Sequence, residues 1–156
     1  MMQVFVDGFP VGRKFVSQAR TIGEGDFTLL HNLTWNTERF QADAEHMEST
    51  QFGERILAGP CVLAVATGLM VSNGDYREML FHPPFQELGF LGMDEWRMKA
   101  PVKVGDTLTV TAEIIEVRPT SKPDRAVLRI RFEVFNQRQE LVMHFLAAFL
   151  EGIRGK

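Results

Sequence analysis

Two runs in the second half of the chain alternate between apolar and polar residues. Leu108, Val110, Ala112 and Ile114 are interleaved with Thr107, Thr109, Thr111 and Glu113; Leu128, Ile130, Phe132 and Val134 are interleaved with Arg129, Arg131 and Glu133. A strand sends successive side chains to opposite faces, so each run predicts a strand with one buried face. From Glu140 to Glu151 the pattern becomes nearly all apolar between Leu141 and Leu150. That predicts a third strand, central or covered on both faces. Asn136–Gln139 reads as the hairpin turn between the last two strands. Arg118–Asp124, with two prolines, reads as a longer turn before them. Phe85–Lys99 contains one more strand ending near Trp96–Met98, and Pro101–Asp106 is a turn.

One-faced strands need something to cover. Cys61–Val71 is the most hydrophobic segment and follows Gly59-Pro60, a helix-start signature with proline at the first helical position. It is apolar on all sides, which predicts a helix buried on most faces. Upstream, Phe15–Ile22 reads as a short strand. A helix follows over Phe27–Leu33, with Asp26 as N-cap and Leu29, Leu30 and Leu33 as its apolar face. Trp35–Gln41 reads as loop, Asp43–Thr50 as a short helix and Phe52–Leu57 as a connector. The sum is one α+β domain over residues 1–156, an antiparallel sheet wrapped around a long central helix: a hotdog fold.

Composition removes several classes of function. A net charge of -3 leaves no basic excess to neutralise phosphates, so nucleic acid is not an expected partner. The apolar stretch at Cys61–Val71 is far short of the ~20 residues a membrane span needs. Met1–Phe15 lacks the charged-then-apolar order of a signal peptide. The single cysteine, Cys61, allows no internal disulfide and fits a reducing, cytoplasmic setting. His31, His46, His82 and His144 have no metal-ligand spacing with each other or with cysteine, so no metal is expected. Gly23-x-Gly25 lacks the third glycine of a dinucleotide loop.

The block Leu33-Thr-Trp-Asn36-Thr-Glu-Arg-Phe-Gln41-Ala-Asp43-Ala-Glu45, with Phe52-Gly53-Glu-Arg55-Ile56-Leu-Ala-Gly59 and Ala66-Thr67-Gly68-Leu69, resembles MaoC-like dehydratases. These are hotdog relatives of (R)-specific enoyl-CoA hydratases. Val16–Thr21 with Glu24-Gly25-Asp26, and Pro101-Val102 with Gly105-Asp106-Thr107-Leu108, resemble the same family, so the likeness runs from about Val11 to Leu150. The resemblance implies a 2-enoyl-CoA or 3-hydroxyacyl-CoA substrate and no cofactor beyond the CoA of that substrate. It also implies a homodimer, because relatives pair two sheets into one and an open sheet edge needs cover.

The family's catalytic Asp and His, five residues apart, fall on Asn36 and Gln41. An amide has no accessible protonation change, so it cannot act as the acid or base that hydration needs. Glu38, Asp43 and His46 are nearby titratable candidates to supply the proton. The family uses the N–H at Gly59 to polarise the thioester carbonyl; a glycine opening a helix suits that role, since no side chain bars the oxygen. Pro60 removes the neighbouring donor. The expected catalytic positions are therefore Asn36, Gln41 and Gly59, and the expected substrate-binding positions are Asp43, Pro60 and Cys61, although Cys61 lies in the apolar helix and also reads as inert packing. Two alternatives stay open: a protein that binds acyl-CoA without turnover, and a thioesterase, which a carboxylate near Gly59 such as Glu38 or Asp43 would favour.

Overall fold

The computed structural model describes residues 2–154. Its elements are α1 (Met2–Gly8), β1 (Lys14–Val16), β2 (Arg20–Thr21), α2 (Glu24–Thr34), α3 (Arg39–Ala42), α4 (Ala44–Glu48), α5 (Gly59–Val71), α6 (Gly74–Phe81), β3 (Phe85–Met98), β4 (Thr107–Pro119), β5 (Arg125–Phe135) and β6 (Leu141–Ile153). The strands pair antiparallel in the order β1-β4-β5-β6-β3, with β2 also pairing with β4.

The period-two runs set the register. Ala112 faces Phe132 and Ile114 faces Ile130, and all four are buried. Each such side chain contributes about 1.5–3 kcal/mol on leaving water, somewhat less for alanine. Phe132 stacks on Phe145 of β6 with ring centroids 4.7 Å apart. The inner face closes on α5 through Cys61, Val62, Ala66 and Met70, spaced as one helical stripe. The opposite side of α5 stays open in the single chain: Ala64, Thr67 and Gly68 are exposed, and Val71 is 56% exposed. The expectation of burial on most faces is thus corrected to burial on one stripe.

Other differences have local causes. The expected strand Phe15–Ile22 splits into β1 and β2 because the Ser17 hydroxyl accepts from Val110 N–H at 2.9 Å and donates to Gln18 O. Its side chain takes over a main-chain hydrogen bond at that point. Helix α2 starts earlier than expected, and Gly23, not Asp26, is its N-cap. Asp26 sits in the first turn, accepts from Gly23 N–H at 3.0 Å and pairs with Arg20 at 2.6 Å. Those bonds hold its carboxyl below the usual range, the Gly23 N–H most of all. Leu29 and Leu33 are exposed; Phe27 and His31 take the buried face. A single helical turn, α3, occupies the expected loop. Proline is the second residue of α5, with Gly59 first and Ala58 as N-cap. Helices α1 and α6 were not foreseen. Helix α1 packs Phe5, and the residue just beyond it, Phe9, against Phe85.

Candidate functional site

The start of α5 is held from two sides. Leu57 N–H donates to Val102 O at 2.7 Å, and Ala58 N–H donates to His31 Nε2 at 3.1 Å. The first N–H groups of a helix have no intrahelical acceptor, and Pro60 has none to offer, so Gly59 N–H is the free donor here. A Cβ at this position would be tight against its neighbours. An atom built there would lie 3.1 Å from Trp96 Cζ2 and 3.4 Å from Met98 Cγ. Trp96 reaches that place through a register shift in β3, where Glu95 takes a left-handed φ of 53°. A non-glycine residue there is strained, and the strain is spent on aiming the neighbouring indole at Gly59.

Asn36 and Gln41 do come together. Both line one cavity of about 180 Å³, with His31 and Arg55. Trp35, left-handed at φ 58°, ends α2 and turns the chain so that Asn36 N–H donates to His31 O. The Asn36 amide is already engaged: Nδ2 donates to Thr34 Oγ1 at 2.8 Å and to Thr34 O at 3.2 Å. Arg55 is fixed by Glu24 at 2.7 Å and lies over the Phe27 ring.

His31 is the residue that sequence reasoning missed. It is 4% exposed, and its Nδ1 is buried without a hydrogen-bond partner. Burial pushes its pKa down, opposed by the Phe27 backbone carbonyl and aided by the Arg55 charge. Because Nε2 accepts from Ala58, the proton of the neutral ring sits on Nδ1. No spacing rule marks this histidine; only its place under Ala58 does.

The remaining candidates divide plainly. Asp43 caps α4 by accepting from His46 N–H at 2.8 Å and pairs with Arg39 at 3.1 Å. Those contacts, the His46 N–H first, lower its pKa. Glu38 is exposed. Cys61 is fully buried, with Sγ 3.5 Å from Thr34 Oγ1, in keeping with the packing reading of this residue. Among the described residues, no three His, Cys, Asp or Glu side chains gather in a way that could hold a metal.

Gly59 and Pro60 do not line the amide cavity. Pro60 opens a second and larger one, about 430 Å³, between α5, α6 and the inner sheet face. Its walls are mostly apolar, among them Leu63, Met93, Phe145 and Phe149, with Thr67, Tyr76, Arg77 and Glu87 as the polar exceptions. That size and lining suit a small apolar ligand or chain.

A curled antiparallel sheet on one helix, with a donor at the helix start and an apolar cavity beside it, defines the hotdog class. The chain belongs to the MaoC like domain family, which it matches over residues 10–131. It is similar in structure to a monoamine oxidase regulatory protein from Archaeoglobus, at 28% identity and TM-score 0.80, covering 96% of this chain and 94% of that one. It is also similar to an R-hydratase from Pseudomonas aeruginosa, at 28% identity and TM-score 0.68, covering 90% and 81%. A Mycobacterium tuberculosis protein described as a double hotdog shares the fold at 18% identity and TM-score 0.76, covering 94% of this chain and 43% of that one. Among curated proteins, none matches the sequence.

Proposed function

We propose that this protein binds 2-enoyl-CoA or 3-hydroxyacyl-CoA thioesters as a hydratase/dehydratase homologue with an altered catalytic pair, and that it hydrates ordinary straight-chain enoyl-CoA slowly. The observation that carries this is the unengaged N–H of Gly59 at the start of α5, next in sequence to Pro60, which lines the apolar cavity. The thioester oxygen accepts from Gly59 N–H, and the acyl chain lies along the cavity. Trp96 and Met98 lie close beside Gly59.

Slow turnover is argued from the amide cavity. Asn36 and Gln41 cannot exchange a proton, and the one lone pair of the neutral His31 ring is taken by Ala58 N–H. Removing one acid/base group costs about 10²–10⁴ in rate. The cap at Asp43 and the exposure of Glu38 argue against the thioesterase alternative, since neither places a free base at Gly59. The same amides favour a second reading, binding without turnover. Equilibrium titration with a saturated acyl-CoA, beside a hydration assay with the matching enoyl-CoA, tests both. Absence of binding overturns the first reading and the second together; fast hydration overturns the assignment of slow chemistry.

A homodimer completes the proposal. β3 ends the sheet and exposes Leu88, Phe90 and Leu91, and unpaired edges of this kind are normally covered. Among the described residues, no helix is long and apolar enough to cross a membrane. The single cysteine, buried and free, supports a reducing, cytoplasmic setting.

A further inference from the structure

Two polar groups, Glu87 and Tyr76, stand in the wall of the apolar cavity, and beside Glu87 lies a buried carboxyl without a hydrogen-bond partner, that of Glu151. Glu87 of β3 is the register partner of Glu151 of β6. Side chains directly opposite on neighbouring strands leave the sheet on the same face, about 4.5–5.5 Å apart at Cβ. That face is the inner one, because Phe149, Ala147 and Phe145, at two-residue steps from Glu151, all line the cavity. Glu151 is 0% exposed, and neither of its carboxyl oxygens has a hydrogen-bond partner. Tyr76 of α6 lines the same cavity and is itself buried. Burial first, and then the charges of Glu87 and Glu151, raise the Tyr76 pKa. A leucine at position 151 would pack without this desolvation penalty, so folding alone gives no reason to keep a glutamate there.

We propose that Glu87, Glu151 and Tyr76 form a subsite for a hydroxyl group carried on the distal part of the acyl chain. This deepens the proposed function and rests on the thioester being held at Gly59. Burial drives Glu151 up to about 8, with Glu87 adding to the shift, and burial raises Glu87 too. At neutral pH the subsite therefore offers the Glu151 carboxyl and the Tyr76 phenol as donors and carboxyl oxygens as acceptors. A hydroxyl, which both donates and accepts, meets that set. A terminal carboxylate would face two acids. A terminal ammonium would lose its hydration along apolar walls. Pro60 and Met70 both line the cavity, and ten residues of helix rise about 15 Å, so the matching chain is of medium length.

The test is calorimetric titration of the wild-type protein with saturated acyl-CoAs of one medium length ending in methyl, hydroxyl, carboxylate or amine. Saturation removes turnover from the measurement. The hydroxyl ligand should bind about tenfold tighter than the methyl ligand. Glu151→Leu should abolish that preference and tighten the methyl ligand, and Glu151→Gln, which keeps hydrogen-bonding atoms, should retain part of it. If Glu151→Leu fails to fold, Tyr76→Phe removes only the phenolic oxygen and should still reduce the preference. Equal or weaker binding of the hydroxyl ligand by wild type overturns the subsite and leaves the Gly59 reading standing. Tightest binding of the amine overturns the hydroxyl assignment. If no CoA thioester binds, both proposals fall.

Discussion

His31 Nε2 accepts the Ala58 N–H at 3.1 Å, so the ring that walls the amide cavity also fixes the helix start where Gly59 stands free. One side chain on α2 thereby ties the two candidate cavities together. Replacing it with alanine leaves a buried N–H without a partner, which costs about 1–3 kcal/mol. His31→Ala should lower the urea midpoint and also weaken acyl-CoA binding. His31→Phe fills the space without accepting the bond and should recover only part of the stability.

The same histidine sets an acid limb. Its folded pKa lies below the ordinary 6.5, so the unfolded chain takes up the proton first as pH falls. The contribution of His31 to stability is complete above pH 6.5 and is lost as pH drops from there toward the lowered folded value. Denaturant unfolding between pH 7.5 and 5 checks this, and the slope should flatten in His31→Phe.

Glu151 acts in the opposite direction. Its folded pKa is raised from 4.5 to about 8 by burial, with Glu87 adding to the shift. Whatever stability it supports is present below 4.5 and is lost as pH rises from there through about 8. Glu151→Gln should therefore stabilise the protein by roughly 1–3 kcal/mol at neutral pH and have little effect at pH 4. Paired unfolding curves at the two pH values decide it.

Restoring a titratable pair is the direct test of the chemistry. Asn36→Asp with Gln41→His should raise hydration of enoyl-CoA by about 10² or more, read as loss of enoyl-thioester absorbance. Each single change should do little, because acid and base act as a unit. An aspartate at 36 cannot donate to Thr34 as Asn36 Nδ2 does, so the new carboxylate has to turn away from Thr34 O. Fast hydration by the wild type would show that the amides are not inert.

Gly59→Ala sets a Cβ 3.1 Å from Trp96 Cζ2. Overpacking of this kind costs about 1–3 kcal/mol. Adding Trp96→Val should return the stability. If affinity for acyl-CoA stays low in the double variant, the open face of Gly59 is needed by the ligand itself rather than by the indole.

The parts of the fold legible in the sequence are those where one period dominates. The runs from Leu108 and Leu128 identify β4 and β5 because each has one buried face, and Gly59-Pro60 before an apolar run marks α5. Helix α6, Gly-Asp-Tyr-Arg-Glu-Met-Leu-Phe, spans two turns, so its buried Tyr76, Met79 and Leu80 are too short a run to mark a helix in the sequence, and its cap, Asn73 accepting from Tyr76 N–H, is a single polar residue. Leu29 and Leu33 kept helical spacing yet face outward, because Phe27 and His31 offered the better seat against the core. The spacing of Asn36 and Gln41 was readable, and the two meet in one cavity. The meeting of Glu87 with Glu151 was not, since it depends on a register between strands more than sixty positions apart.

That register has an arithmetic of its own. Between Phe85 and Met98 strand β3 takes thirteen steps, while β6 takes ten between Ile153 and Met143; each of three shifts absorbs one surplus residue. Every surplus residue reverses which side of the ribbon the following side chains occupy. Losing one residue anywhere along β3 would therefore turn the strand inside out beyond that point, sending Trp96 off Gly59. Losing two would bring it back. Along this edge, length variation is filtered by parity before it is filtered by chemistry.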